Sequence, residues 1–199
     1  TFLANNNATM NGVGYYITGV GDKFDYNPSM YDVLINNSAY NNSQSGFDVF
    51  GVDYCNLTGN DADLNGFGDI QSGGGQDGFY VHNNIGTGYN SLVMNSADGN
   101  YLNGFLLEGT AYNVLDQNNA TSNDENGFSV MASDGQVGSF NNLTNNLAYN
   151  NSNYGFDIED DNSYLATNNA TTNLNSGFFV TGTGTGKFLN SSVYDVLIN

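Results

Sequence analysis

The chain has 199 residues and sets 20 Asp and Glu against 2 Lys and Arg, a net charge of −18, with 39% hydrophobic residues, one Cys and one Pro. So little positive charge cannot neutralise a run of phosphates, which excludes nucleic acid as a partner, and the same field repels anionic membranes and anionic polysaccharides. No apolar run of about 18 residues exists to span a bilayer, TFLANNNATM lacks the build of a signal peptide, and 13 Phe with 14 Tyr indicate a folded chain.

Taken in order, the same short unit recurs from one end to the other. It reads Gly14-Tyr15-Tyr16-Ile17, Gly46-Phe47-Asp48-Val49, Gly66-Phe67-Gly68-Asp69-Ile70 (one residue longer) and Gly78-Phe79-Tyr80-Val81. It continues as Gly104-Phe105-Leu106-Leu107, Gly127-Phe128-Ser129-Val130, Gly155-Phe156-Asp157-Ile158 and Gly177-Phe178-Phe179-Val180. Aromatic and aliphatic residues two apart have the period of a strand with one buried face. Turn residues fill the intervals, and no segment shows the apolar spacing of a helix. The later glycines, at 104, 127, 155 and 177, lie 22 to 28 residues apart. That is too sparse for a hairpin meander and suits one winding of a parallel β-helix.

Before each Gly-aromatic pair lies an Asn-rich corner, as in 5–9, 36–38, 118–121 and 168–171. Stacked windings place equivalent residues about 4.8 Å apart, so Asn amides at one register can bond upward and downward as a ladder. A longer repeat overlies the short one. Residues 2–36 match residues 164–199, and the hexapeptide from Tyr31 to Asn36 returns as Tyr194 to Asn199, 163 positions on. Lys23 and Lys187 occupy matching places. The chain is therefore expected to be one continuous β-helix over 1–199, with 1–163 as one long repeat and 164–199 as the start of the next.

The Asn-Asn-x-Thr and Gly-aromatic-x-aliphatic motifs resemble the right-handed parallel β-helix repeats of NosD-like periplasmic proteins, pectate-lyase-like folds and archaeal surface proteins. The resemblance implies an all-β, right-handed parallel β-helix with coils of about 22–28 residues. It implies no single activity, since such folds serve lyases, copper-site maturation proteins, adhesins and surface layers.

Three kinds of site are expected from the residues. Asp157, Glu159, Asp160 and Asp161 form the densest acidic run, and calcium, which takes about six to eight oxygen ligands, is the cofactor they suit; Asp61/Asp63 and Asp22/Asp25 are weaker. His82 and Cys55 show no transition-metal spacing, and Cys55 reads as a small core residue. Asn7, Asn36, Asn41, Asn56, Asn119, Asn142, Asn150, Asn169 and Asn190 each head an Asn-x-Ser/Thr triplet, those turned into ladders being closed to glycan. The residues between the core positions of the unit (Tyr16, Asp48, Tyr80, Leu106, Ser129, Asp157 and Phe179) are expected to face outward, with Tyr16, Tyr80, Leu106 and Phe179 as lateral contacts.

The functional expectation is a non-enzymatic structural element of an extracellular filament, sheath or surface layer, whose partners are copies of itself, with glycans as further partners. The alternative is a cell-surface adhesin or carbohydrate-binding β-helix. A polysaccharide-active enzyme using Asp157, Asp160 and Asp161 ranks below both, because no Arg and only one His are present.

Overall fold

The computed structural model describes residues 1–19, 29–68, 75–83, 88–132, 140–160, 162–181 and 196–198. Lys23, Lys187, Asp22, Asp25, Ile70, Asp161, Asn190 and Tyr194 lie outside them.

The chain winds as a right-handed parallel β-helix of three sheets. Sheet A stacks Phe2–Ala4, Val33–Ile35, Asn56–Thr58, Ser91–Val93, Val114–Asp116, Asn142–Thr144, Tyr164–Ala166 and Val196–Ile198. Sheet B stacks Asn7–Thr9, Ser38–Tyr40, Asp61–Asp63, Ser96–Asp98, Asn119–Thr121, Leu147–Tyr149 and Asn169–Thr171. Sheet C carries the Gly-aromatic units: Tyr15–Thr18, Phe47–Phe50, Phe79–His82, Phe105–Glu108, Phe128–Met131, Phe156–Glu159 and Phe178–Val180. Ser29–Met30 and Val52–Asp53 form a small additional parallel pair.

Sheets A and B each send one column of side chains into the core, and sheet C sends two, the aromatic one and, two residues on, Ile17, Val49, Val81, Leu107, Val130 and Ile158. Sheet A gives Leu34, Leu57, Leu92, Leu115, Leu143 and Leu165, and sheet B gives Ala39, Ala62, Ala97, Ala120 and Ala148, all buried. Sheet C gives a ring stack from Tyr15 through Phe47, Phe79, Phe105, Phe128 and Phe156 to Phe178, with centroids 4.7–4.9 Å apart. Small Ala opposite large Phe lets the coil close. The glycine before each Phe is needed for the same reason: a Cβ on Gly104 would lie 2.8 Å from Ala120 Cβ, Asn123 Nδ2 and the Gly127 carbonyl.

The corners explain the asparagine. Every turn from sheet A to sheet B is two residues, the first left-handed and the second an inward Asn. Asn5, Asn36, Met94, Gln117, Asn145 and Thr167 take the first position with φ of 51–57°. Asn6, Asn37, Asn60, Asn95, Asn118, Asn146 and Asn168 form the ladder, each linked to the next across 31, 23, 35, 23, 28 and 22 residues. Five residues further on, Asn11, Asn42, Asn65, Asn100, Asn123, Asn151 and Asn173 build a second ladder at the exit from sheet B. A third, of Asn90, Asn113 and Asn141, precedes sheet A. The shorter rungs match the expected coil length. The rungs of 31 and 35 residues belong to coils lengthened between sheets, and the two-residue A-to-B corner stays constant throughout.

Candidate functional site

The outer face of sheet C holds the densest polar chemistry. His82 Nε2 lies 2.8 Å from Asp48 Oδ1 one coil away. Its ring is stacked between Tyr80, at 3.9 Å, and Phe50, at 4.7 Å. The Tyr80 hydroxyl donates to Glu108 Oε2 at 2.5 Å on the following coil. Burial, then the Glu108 hydrogen bond, raises the Tyr80 pKa, so the phenol stays a donor. Parallel register places these groups together: Asp48 pairs with Tyr80, Phe50 with His82, and His82 with Glu108.

This face is less open than its alternation suggests. Asp48, Ser129 and Asp157 are buried and only Tyr16 is widely exposed, because the residues just before the glycines fold over the next coil. Asn126 Nδ2 donates to Asp157 Oδ2 at 3.3 Å, and Tyr154 stacks on Phe179 at 4.8 Å. Three of the four expected lateral contacts, Tyr80, Leu106 and Phe179, are accordingly half-buried within their own chain.

Asp77 heads a fourth ladder that runs in the opposite sense. Its Oδ1 accepts from Asn103 N at 3.0 Å and Nδ2 at 2.9 Å, and Asn103 Oδ1 accepts from Asn126. Its Oδ2 is buried with no hydrogen-bond partner. Burial pushes the Asp77 pKa up to about 7 against the two Asn103 hydrogen bonds. Asp157 is pushed up to about 6 by burial and by Glu159 and Glu125. Asp63 reaches about 6 through burial and the neighbouring Asp61 and Asp98.

Of the proposed calcium ligands, Asp157 and Glu159 share the outer face, as a strand requires. Asp160 turns into the corner, where its Oδ2 accepts from Asn141 Nδ2 at 3.0 Å and Ser163 Oγ at 2.7 Å. Asp157 and Asp160 therefore turn to different partners, and Asp161 lies outside the described residues. Among the described residues, no group of three or more His, Cys, Asp and Glu is placed to hold a metal ion.

The eight described sequon asparagines are all distinct from the ladder rungs. Asn7, Asn36, Asn41, Asn56, Asn150 and Asn169 are exposed, and Asn119 and Asn142 half-buried. In three of them the triplet's Thr donates to its own Asn: Thr58 to Asn56, Thr121 to Asn119 and Thr171 to Asn169, at 2.8–3.0 Å. None of these eight is turned into a ladder, so the condition that would close a sequon to glycan does not arise among the described residues. In the Asn-Asn-Ser triplets the rung is the second residue (Asn37, Asn42, Asn151) and the sequon Asn is the first, at the left-handed position. In Asn6-Asn7, Asn118-Asn119, Asn141-Asn142 and Asn168-Asn169 the rung is the first and the sequon Asn opens the following strand.

Sequence reasoning missed one feature altogether. Tyr31, Tyr54, Tyr89, Tyr112 and Phe140 occupy the corner before sheet A, all left-handed with φ of 52–64°. Their rings stack along the axis at 5.4, 5.1, 4.8 and 5.3 Å. The signal was present as an aromatic two residues before five consecutive sheet A strands, but at irregular intervals.

A family model described as periplasmic copper-binding protein (NosD) matches residues 67–195. The chain belongs to the NosD family. No curated protein and no solved structure matches it. NosD proteins are described as periplasmic, which agrees with an exported chain in the coarse sense. The copper of the family description is not matched by soft or imidazole ligands in this NosD chain. His82 Nε2 is engaged by Asp48. Cys55 is buried, and burial pushes its thiol up to about 12, so it is not a ready thiolate. Met10, Met30, Met94 and Met131 are exposed on separate strands and corners. These residues do not fit a copper centre.

Proposed function

We propose that this chain is a structural β-solenoid block outside the cytoplasm, and that such blocks join end to end into a filament, sheath or surface layer. The observation that carries this reading is translational continuity. Val196–Ile198 lies on Tyr164–Ala166 in the register in which Val33–Ile35 lies on Phe2–Ala4, so Val196 pairs with Tyr164 as Val33 pairs with Phe2. The described strands at 164–166 and 196–198 thus repeat the pairing of the first two strands of sheet A, a register in which a further long repeat can add. Unpaired strand edges at either end of a stack are templates for such addition. Outward sequons leave room for glycans on the exposed corners. A non-catalytic role is supported by Asp157 and Asp160, whose carboxylates are taken up by separate partners, Asn126 for the one and Asn141 with Ser163 for the other.

Electron microscopy of the purified protein is expected to show rods of uniform width that lengthen with concentration. Discrete, monodisperse particles at every concentration would contradict the proposal. They would favour the adhesin alternative, for which the cleft lined by Met10, Asn41, Ser43 and Phe67 is the place to look for a sugar.

A further inference from the structure

The three outer faces differ in charge. Among the described residues, sheet B presents Asp61, Asp63 and Asp98, and sheet C presents Glu108 and Glu159 over the buried Asp48 and Asp157. Sheet A carries a single acid, Asp116, whose carboxylate is already occupied by Gln117, Thr144 and Asn145. The rest of its outer surface is Phe2, Val33, Ile35, Val93, Val114 and Tyr164 with small polar residues, among them the sequon asparagines Asn56 and Asn142, which must be free of glycan for this face to be covered. Along its border runs the aromatic ladder, with Tyr31 66% and Phe140 52% exposed and Tyr54, Tyr89 and Tyr112 at 42–44%.

Each inner ring of that ladder has another ring on both faces. Stacking of a sugar needs a free ring face, so the ladder offers a flat row of edges. The backbone is held left-handed at every one of these bulky residues, a conformation costing about 1 kcal/mol each. In the same column the sixth coil has Asn162, with φ 65° and no ring. Asn suits that backbone, so the aromatics are not required by the turn.

We infer that sheet A and its aromatic border are the face on which a second copy of this chain docks laterally. The inference rests on the proposed assembly and names the surface it uses. A chain of net charge −18 can meet its own copy closely only where carboxylates are missing, and among the described residues sheet A is that face. The strip is about 30 Å long and about 10–15 Å wide, roughly 300–450 Å² a side. A standard stable interface needs about 800 Å² a side. Pairing of single blocks is therefore weak, and it strengthens as blocks are joined and contacts multiply.

Sedimentation of the 199-residue chain at low and high salt tests this. Screening of the mutual repulsion is expected to tighten dimerisation at least about tenfold between 20 and 500 mM NaCl. The double variant Tyr89→Asn/Tyr112→Asn, which copies the native Asn162 corner and so keeps the fold, is expected to weaken it at least about tenfold. Tyr16→Asn on sheet C is expected to leave it unchanged. A chain that stays monomeric at every salt concentration overturns the inference, as does a Tyr16→Asn effect equal to that of the double variant. Long single rods in the microscope that never pair would overturn the docking face while leaving end-to-end assembly standing.

Discussion

Asn118→Ala is expected to destabilise the protein by about 4 kcal/mol, while Asn119→Ala, one residue on, costs under about 1 kcal/mol. The two residues are neighbours in a strand and corner of identical composition, but their side chains do different things. Asn118 Oδ1 accepts from Asn95 N at 2.9 Å and Nδ2 at 3.0 Å. Its own Nδ2 donates to Asn146 Oδ1 at 3.0 Å and to the Leu92 carbonyl at 2.8 Å. Alanine leaves two donors of Asn95 unpaired and strips the Leu92 carbonyl of its side-chain bond in a site that is 1% exposed. Each orphaned buried group costs about 1–3 kcal/mol, and rungs on either side lose the polarisation a continuous ladder provides. Asn119 bonds only to Thr121 among the described partners and is half open to solvent. Urea titration of both variants checks this, and equal losses would contradict the ladder.

The second large effect is an inverted dependence on pH. Asp77 has a folded pKa of about 7 against an ordinary 3.8. Between those values the folded protein holds a proton that the unfolded chain has released, so stability falls as pH rises from about 4 to about 7. Three units correspond to about 4 kcal/mol lost by pH 8. Asp63 and Asp157, also raised, add in the same direction with smaller weight because they are nearer solvent. Asp116, held low by Asn145, opposes them. Asp77→Asn retains the oxygen that accepts from Asn103 and removes the buried charge. At pH 8 the variant is expected to be more stable than the parent by a few kcal/mol, with the gap closing toward pH 4. Superimposable stability profiles for the two proteins would show that Asp77 is not buried as described.

Much of the winding could be read from the residues because it depends on patterns with short periods. The Gly-aromatic-x-aliphatic unit has the strand period and a glycine where no Cβ fits, so sheet C and its ring stack follow directly. The match of 2–36 to 164–199 likewise anticipates that the last strand of sheet A pairs as the second does. The side-chain roles were harder to read. One Asn corner per coil was expected, whereas the rungs repeat at five-residue steps (Asn90, Asn95, Asn100; Asn113, Asn118, Asn123) with Leu and Ala between them. The outward reading of Asp48, Ser129 and Asp157 followed strand alternation and took no account of the residues before the glycines, which fold over that face. The aromatic ladder was hidden because its members lie 23 to 35 residues apart and occupy left-handed corners where Asn or Gly is the usual choice.

The account depends on equivalent residues of successive coils lying in register along one axis, whatever the length of chain between them. Spin labels on cysteines at Asn7, Asn119 and Asn169, in a Cys55→Ala background, measure that spacing. These residues are the first positions of their sheet B strands, four and six coil steps from Asn7. At about 4.8 Å per step, dipolar spectroscopy is expected to give about 19 Å for the 7–119 pair and about 29 Å for the 7–169 pair, each narrowly distributed. Broad distributions, or distances that follow the number of intervening residues and not the number of coils, would contradict the stacked solenoid.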